Sequence, residues 1–191
     1  LLFAGLEQCL GDAGDNRVLY IGIDFATGSE GDYTVLVAVN GEGEMVALHR
    51  TNNQTPTQQV EWLVGLIRDL ASRYTIRTIL AEKNSIGSVY NDLLLNRLKP
   101  MVLNITDWTT TNKSKQDIVT NLQILLENGR IKILNNPVLL NELKRYQAEI
   151  NPRTKTITYN GYKCNDDTVI ATMLAFWAYN KSFGQFRLSF V

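Results

Sequence analysis

The chain has 191 residues, 45% of them hydrophobic, and its 19 Lys and Arg residues balance 19 Asp and Glu residues. This is enough for one domain with a full hydrophobic core, and the zero net charge neither supports nor excludes a nucleic-acid partner. The only cysteines, Cys9 and Cys164, match no metal-ligand spacing and suit a reducing compartment better than a disulfide scaffold. Because no apolar run reaches the roughly 18 residues of a membrane span, we expect a cytoplasmic protein.

The elements can be predicted in chain order from hydrophobic periodicity and turn residues. We expect a leader or linker remnant at residues 1–16, a folded domain at 17–182 and a tail at 183–191. Three strands are predicted first, at 17–24, 33–40 and 45–51, with turns at Gly28–Asp32 and Asn40-Gly41. The remaining predictions are helix 56–74, strand 78–82, helix 88–98, strand 102–106, helix 113–128, strand 131–134, helix 137–147, a hairpin through Asn151-Pro152 to residue 159, and helix 166–180.

The order of these elements indicates the fold class. Strands joined by hairpins pair antiparallel, whereas strands that alternate with helices are usually parallel. Three antiparallel strands followed by parallel ones, with helices on both faces of the mixed sheet, is the element order of a ribonuclease-H-like α/β fold.

Acidic side chains stand at the ends of rigid elements in this predicted fold. Asp24 ends the apolar run of the first strand, Glu82 ends the fourth strand, and Asp166 and Asp167 begin the last helix. If folding brings these carboxylates together, their mutual repulsion has to be neutralised by cations or protons. The pattern therefore indicates a divalent-metal site.

Each acid also has a structural explanation. Asp24 can cap the turn that follows it, and Glu82 can pair with the adjacent Lys83. An aspartate at the start of a helix accepts backbone N–H groups and contributes about 1 kcal/mol. Since one cap needs one carboxylate, the second of Asp166 and Asp167 is left for a metal.

The chemistry of such a site is phosphodiester hydrolysis. Oxygen ligands without a histidine or cysteine cluster suit Mg²⁺ or Mn²⁺, and two such ions promote in-line displacement at a phosphate. The single histidine, His49, lies on the third strand beside Arg50, where a surface or packing role is the expectation.

Four segments, in this order, resemble the nuclease domain of tailed-phage large terminase subunits. They are YIGIDFATGSEGDYTVLVAV, ILAEKNSIGSVYNDLL, TTNKSKQDIVTNLQILLENGRIKI and NDDTVIATMLAFWAY, and the resemblance spans roughly residues 18–180. It implies an endonuclease that cuts concatemeric double-stranded viral DNA in the host cytoplasm during genome packaging. It also implies that Asp24, Glu82 and Asp166 hold the metals, with Asp167 as an accessory or alternative ligand.

Two features depart from that family. Asn165 stands where the family often has a histidine, and no G-x-x-x-x-G-K-[ST] phosphate loop occurs, so we expect this chain to resemble only the C-terminal half of the motor protein. The resemblance then implies three protein partners: the terminase ATPase domain, the small terminase subunit and the portal protein.

Local basic residues are the candidates for DNA binding, because the net charge is zero. They are Lys113, Lys115, Arg153, Lys155 and Lys163, and ordinary solvated surface charge is the alternative for each. Trp108 and Trp177 are predicted to be core residues rather than base-stacking platforms.

Other functions remain open from sequence. A Holliday-junction resolvase or a ribonuclease H would use the same acids, and Asp24 with Gly28 and Thr34 loosely resembles the first phosphate loop of actin-like or sugar-kinase ATPases. A non-catalytic DNA-binding or assembly module is the alternative outside enzymes, and it would leave three buried acids without a purpose.

Overall fold

A computed structural model of the protein describes residues 2–3, 6–10, 16–26, 31–83, 87–101 and 103–187. Its strands are β1 Val18–Asp24, β2 Thr34–Asn40, β3 Met45–Thr51, β4 Thr75–Glu82, β5 Ile105–Trp108, β6 Tyr146–Ile150 and β7 Ile157–Gly161. Its α-helices are α1 Pro56–Arg73, α2 Gly87–Leu98, α3 Asn112–Glu127, α4 Pro137–Arg145 and α5 Asp167–Arg187, with 3₁₀ turns at Leu6–Cys9 and Lys99–Met101. None of the helices in these ranges has the length and apolar character that a membrane span requires.

The central sheet has five strands in the order β3-β2-β1-β4-β5. β2 pairs antiparallel with β1 and β3, whereas β4 pairs parallel with β1 and with β5. The predicted succession of three antiparallel strands and then parallel ones is confirmed. Because β1 and β4 are parallel neighbours, their carboxyl ends lie side by side at one edge of the sheet.

Alternate side chains of the central strands pack into two cores, one on each face of the sheet. One core holds Leu19, Ile21 and Ile23 of β1 against the apolar faces of α1 and α2. The other core lies on the opposite face, where buried residues of α3, α4 and α5 meet the other side of β2. Helices therefore cover both faces, as predicted.

Helix α5 crosses β1 in direct contact with its backbone, and Gly22 makes this approach possible. A Cβ atom at this position would meet the carbonyl oxygen of Ala171 and would stand 2.5 Å from the backbone nitrogen of Ala175. Only glycine fits where two backbones pack this closely. The contact fixes the start of α5 relative to the end of β1.

The structure corrects several predicted boundaries. The predicted strand 131–134 is wrong, because this segment makes only isolated parallel bridges, Glu44 to Lys132 and Leu10 to Ile133. β5 begins at Ile105, and the predicted Val102 lies outside the described residues. Helix α4 ends at Arg145, because the next residue starts the hairpin strand β6, and α5 continues past the predicted end at residue 180.

Parts of the predicted leader, turn and tail lie outside the described residues. The gaps include residues 11–15, most of the predicted turn Gly28–Asp32, and residues 188–191. Of the predicted leader, Phe3, Leu6 and Cys9 are buried in the core beside α3, α4 and α5. The predicted late hairpin is confirmed, with β6 and β7 paired from Tyr146 and Gly161 to Ile150 and Ile157.

Candidate metal centre

Two of the predicted acids lie side by side at the carboxyl edge of the sheet. Asp24 is the last residue of β1 and Glu82 is the last residue of β4, and the preceding residues of the two strands, Ile23 and Ala81, are paired in register. Asp24 is only 6% exposed, and Glu82 is half-buried. The parallel pairing thus brings together two carboxyl groups that are far apart in the sequence.

The other two acids reach the same edge through the start of helix α5. Asp167 Oδ2 accepts a hydrogen bond of 3.1 Å from the backbone N–H of Tyr33, just before the strand that pairs with β1. Asp166 Oδ2 lies 3.8 Å from the Lys115 Nζ atom of helix α3. All four predicted acids are therefore gathered at one edge of the sheet.

Burial and the nearby acids raise the pKa values of three of these four carboxyl groups. Burial raises the pKa of Asp24 well above its usual range, and a carboxyl–carboxyl hydrogen bond and charge repulsion from Glu82 raise it further, as do Asp167 and Asp166. Burial also raises the pKa of Asp166, which the Lys115 ammonium opposes. Burial raises the pKa of Asp167 to about 7, against the Tyr33 N–H, which lowers it. The site thus holds more negative charge than it can keep near neutral pH without protons or cations.

The donor set fits a hard divalent cation. Carboxylate oxygens without histidine or thiolate are the ligands that Mg²⁺ and Mn²⁺ prefer. In the described ranges, however, no three Asp, Glu, His or Cys side chains already converge on one point as a preformed metal cluster. Each carboxylate instead has a local partner: Asp24 pairs with Glu82, Asp166 with Lys115 and Asp167 with the Tyr33 N–H. Binding a metal would require Asp24 and Glu82 to give up the hydrogen bond between them.

The contacts of Glu82 and Asp167 extend to neighbouring polar side chains. The Thr110 hydroxyl donates to Glu82, and the Asn165 amide donates to the Gly31 carbonyl and lies 3.4 Å from Asp167 Oδ2. Asn165 thus supplies a polar contact to Asp167.

The predicted DNA-binding cations separate into two groups. Lys115 lies against Asp166, so its charge compensates the acidic edge. Lys113 is exposed on the first turn of α3, and Arg153 and Lys155 are exposed on the loop between β6 and β7. Lys163 is exposed too, with its Nζ atom 5.2 Å from the ring centroid of Tyr162.

The tryptophans and the histidine follow the sequence predictions. Trp108 and Trp177 pack edge to face, with ring centroids 5.5 Å apart, against the core beside α5. His49 is exposed on β3, where it pairs with Leu36.

One acid near the site was missed at the sequence level. Glu142 of helix α4 is 3% exposed and accepts hydrogen bonds from both the backbone N–H and the hydroxyl of Thr168, at the start of α5. Helical spacing was the available signal, because Glu142 falls three residues after Leu139 and beside Leu143, the two buried apolar positions of the helix.

The sheet order, together with an acidic edge beside the start of the last helix, defines a ribonuclease-H-like α/β domain. Residues 21–178 match the family model described as the terminase RNaseH-like domain, and the chain belongs to this family. The large terminase subunit of Thermus virus P23-45 is 25% identical over 177 residues, which cover 92% of this chain and 34% of the relative. The chain thus spans about a third of the length of the curated relative it matches.

Solved structures share the fold. The large terminase nuclease from thermophilic phage G20c superposes with a TM-score of 0.73 at 23% identity, over 93% of this chain and 98% of that chain. The same nuclease with bound magnesium superposes with a TM-score of 0.73 at 22% identity, over 92% and 96% of the two chains. The predicted ribonuclease-H-like fold and the resemblance to the terminase nuclease domain are both confirmed.

Proposed function

We propose that this chain is a metal-dependent endonuclease domain that cleaves double-stranded viral DNA during genome packaging. The observation that carries the proposal is the gathering of Asp24, Glu82, Asp166 and Asp167 at one edge of the sheet, in a chain of the terminase RNaseH-like family. The magnesium-bound structure of the G20c nuclease supports the choice of a divalent cation.

Each acid has a distinct role in this proposal. Asp24, the most buried and the one influenced by the other three, would hold both ions, with Glu82 on one and Asp166 on the other. Asp167 would serve as an accessory or alternative ligand. Bound Mg²⁺ or Mn²⁺ ions supply Lewis-acid stabilisation for in-line displacement at the phosphate.

The hairpin β6–β7 is the proposed DNA contact. The Asn151 side chain accepts hydrogen bonds from the backbone N–H groups of Arg153, at 2.9 Å, and Thr154, at 3.2 Å, which organises the loop between the strands. Lys155 adopts a left-handed backbone conformation, with φ 59°, so this loop presents two cations on a defined turn. Because such contacts reach the phosphate backbone, we expect little sequence preference.

Charge reversal tests the hairpin. Each lost phosphate contact reduces the slope of log K against log salt by about 0.9, so the double variant Arg153→Glu, Lys155→Glu should reduce the slope by about 2 and weaken binding. The matched control reverses Arg68 and Lys99, which are exposed on elements outside the hairpin and change the net charge equally. A salt slope that the hairpin variant leaves unchanged would exclude this contact.

Cleavage of supercoiled plasmid with Mn²⁺ tests the activity. We expect nicking and linearisation by the wild type and none by a folded Asp24→Asn variant; full activity in that variant would refute the assignment. Preferential cutting of branched DNA in the same assay would indicate a junction resolvase, and cutting of RNA–DNA hybrids would indicate a ribonuclease H. ATP turnover would indicate the kinase-like alternative. DNA retardation without cutting would instead support a binding or assembly module.

The packaging partners follow from family membership. We expect the domain to act beside a terminase ATPase domain, a small terminase subunit and a portal protein, in the cytoplasm of the infected cell. Cross-linking within an assembled packaging motor checks this placement. A motor in which the chain cross-links to none of the three partners would contradict it.

A further inference from the structure

The start of helix α5 is capped from another helix. The first backbone N–H groups of a helix lack partners inside it and are usually satisfied by the side chain of the residue that precedes the first turn. That residue here is Asp166, because its carbonyl oxygen accepts the first hydrogen bond within the helix, from the N–H of Ile170 at 2.9 Å. The N–H of Thr168, however, donates to Glu142 Oε2 of helix α4, at 3.0 Å.

The two aspartates make other contacts. The carboxylate of Asp166 lies 3.8 Å from the Lys115 ammonium, and that of Asp167 accepts from the Tyr33 N–H at 3.1 Å. We propose that Glu142 is a positioning residue, which caps α5 from helix α4 and so leaves both aspartates available to bind metal. The inference rests on the proposed function, since it concerns the same metal site.

Glu142 is itself held in place from the side of the acidic edge. Its Oε1 atom lies 3.9 Å from Arg50 Nη1, and the Arg50 guanidinium lies over the ring of Tyr33, 3.5 Å from the ring centroid. Tyr33 is also the residue whose N–H binds Asp167. Glu142 and Asp167 are therefore connected through the contacts of Arg50 and Tyr33.

The charge of Glu142 explains why an acid stands at this buried position. A carboxylate that is almost fully buried is costly unless it is hydrogen-bonded and paired, and Glu142 is both. The positive end of the helix dipole attracts the nearest anion. With Glu142 in place, this attraction is satisfied; without it, the side chains of Asp166 and Asp167 are the nearest carboxylates that can turn back onto the free N–H groups.

Mn²⁺ affinity distinguishes positioning from a purely structural role. We would measure Mn²⁺ binding by electron paramagnetic resonance for the wild type and the variants Glu142→Ala, Glu142→Gln and Leu139→Ala. Urea denaturation of each protein would determine its folded fraction. Leu139 is the matched control, because it is fully buried on the same helix and its truncation destabilises the protein without removing a hydrogen bond to the start of α5. Glu142→Gln keeps a hydrogen-bond acceptor but removes the charge.

We expect Glu142→Ala to weaken Mn²⁺ binding by about tenfold or more, the size usual for residues that orient metal ligands. Glu142→Gln should recover part of the affinity, because it keeps the acceptor for the Thr168 N–H but loses the charge that satisfies the helix dipole. Leu139→Ala should bind like the wild type once corrected for its folded fraction. Wild-type affinity in Glu142→Ala, or an equal loss in Leu139→Ala, would overturn the positioning role alone. A wild type that binds no Mn²⁺ would overturn the proposed function and this inference with it.

Discussion

Replacing Gly22 by alanine tests the contact that sets the geometry of the acidic edge. The new Cβ would stand 2.5 Å from the Ala175 nitrogen, whereas ordinary contacts begin at 3.4 Å, so helix and strand must separate by at least about 0.9 Å. The neighbouring atoms belong to the helix backbone and cannot rotate away. Because the start of α5 carries Asp166 and Asp167, the same movement would displace them from Asp24.

The cost of this overpacking should be at the upper end of the usual range, about 3 kcal/mol, since relief requires moving a whole helix. Gly65, on an exposed position of α1, provides the matched control. A Cβ at Gly65 would meet nothing within 4 Å, so Gly65→Ala should stabilise the protein by about 1 kcal/mol through its higher helix propensity.

Urea denaturation of the two variants and the wild type measures both effects. We expect the midpoint to fall for Gly22→Ala and to rise for Gly65→Ala. A Gly22→Ala protein as stable as the wild type would show that α5 does not lie on β1 in the way described, and the placement of the two aspartates would lose its basis.

Three further predictions concern titration, charge and thiol accessibility. Since burial raises the pKa of Asp167 from 3.8 to about 7, the folded metal-free protein binds more protons than the unfolded chain between these pH values. Its free energy of unfolding should therefore fall as the pH rises through that window, by about 2 kcal/mol after allowance for solvent screening. Urea denaturation in EDTA at several pH values should show that the free energy of unfolding of Asp167→Asn depends less on pH than that of the wild type. Asp24→Asn removes the most crowded charge and should raise the melting temperature in EDTA; a lower one would contradict the repulsion. The half-buried thiol of Cys164 should react with a disulfide reagent before that of Cys9, which is 1% exposed, and the reverse order would be inconsistent with this packing.

The acidic edge was predictable from sequence because strand ends leave a strong local signal. Asp24 follows an apolar run, and Glu82 ends another, so both acids stood where parallel strands finish. Once the strand–helix order indicated a mixed sheet, the pairing of β1 with β4 placed them together. The predicted segment 131–134 failed as a strand because an apolar run does not reveal whether a continuous partner lies beside it.

Contacts between distant segments were not predictable in this way. Lys115 looked like one of several surface cations, and nothing in its neighbourhood in the sequence indicates that Asp166 of another helix lies 3.8 Å away. Glu142 was overlooked because its partner, Thr168, is 26 residues further along the chain. Such assignments depend on how α3, α4 and α5 pack around one end of the sheet.

Mn²⁺ titration of the wild type, Asp24→Asn and Asp69→Asn tests whether the four acids form a metal site. Asp69, an exposed aspartate of α1 paired with Arg73, is the charge-matched control. The wild type and Asp69→Asn should bind Mn²⁺ alike, and Asp24→Asn should bind at least about tenfold more weakly, because it loses the proposed buried ligand at the centre of the four acids. Equal affinity in all three proteins, or no binding by the wild type, would contradict a metal site at this edge of the sheet.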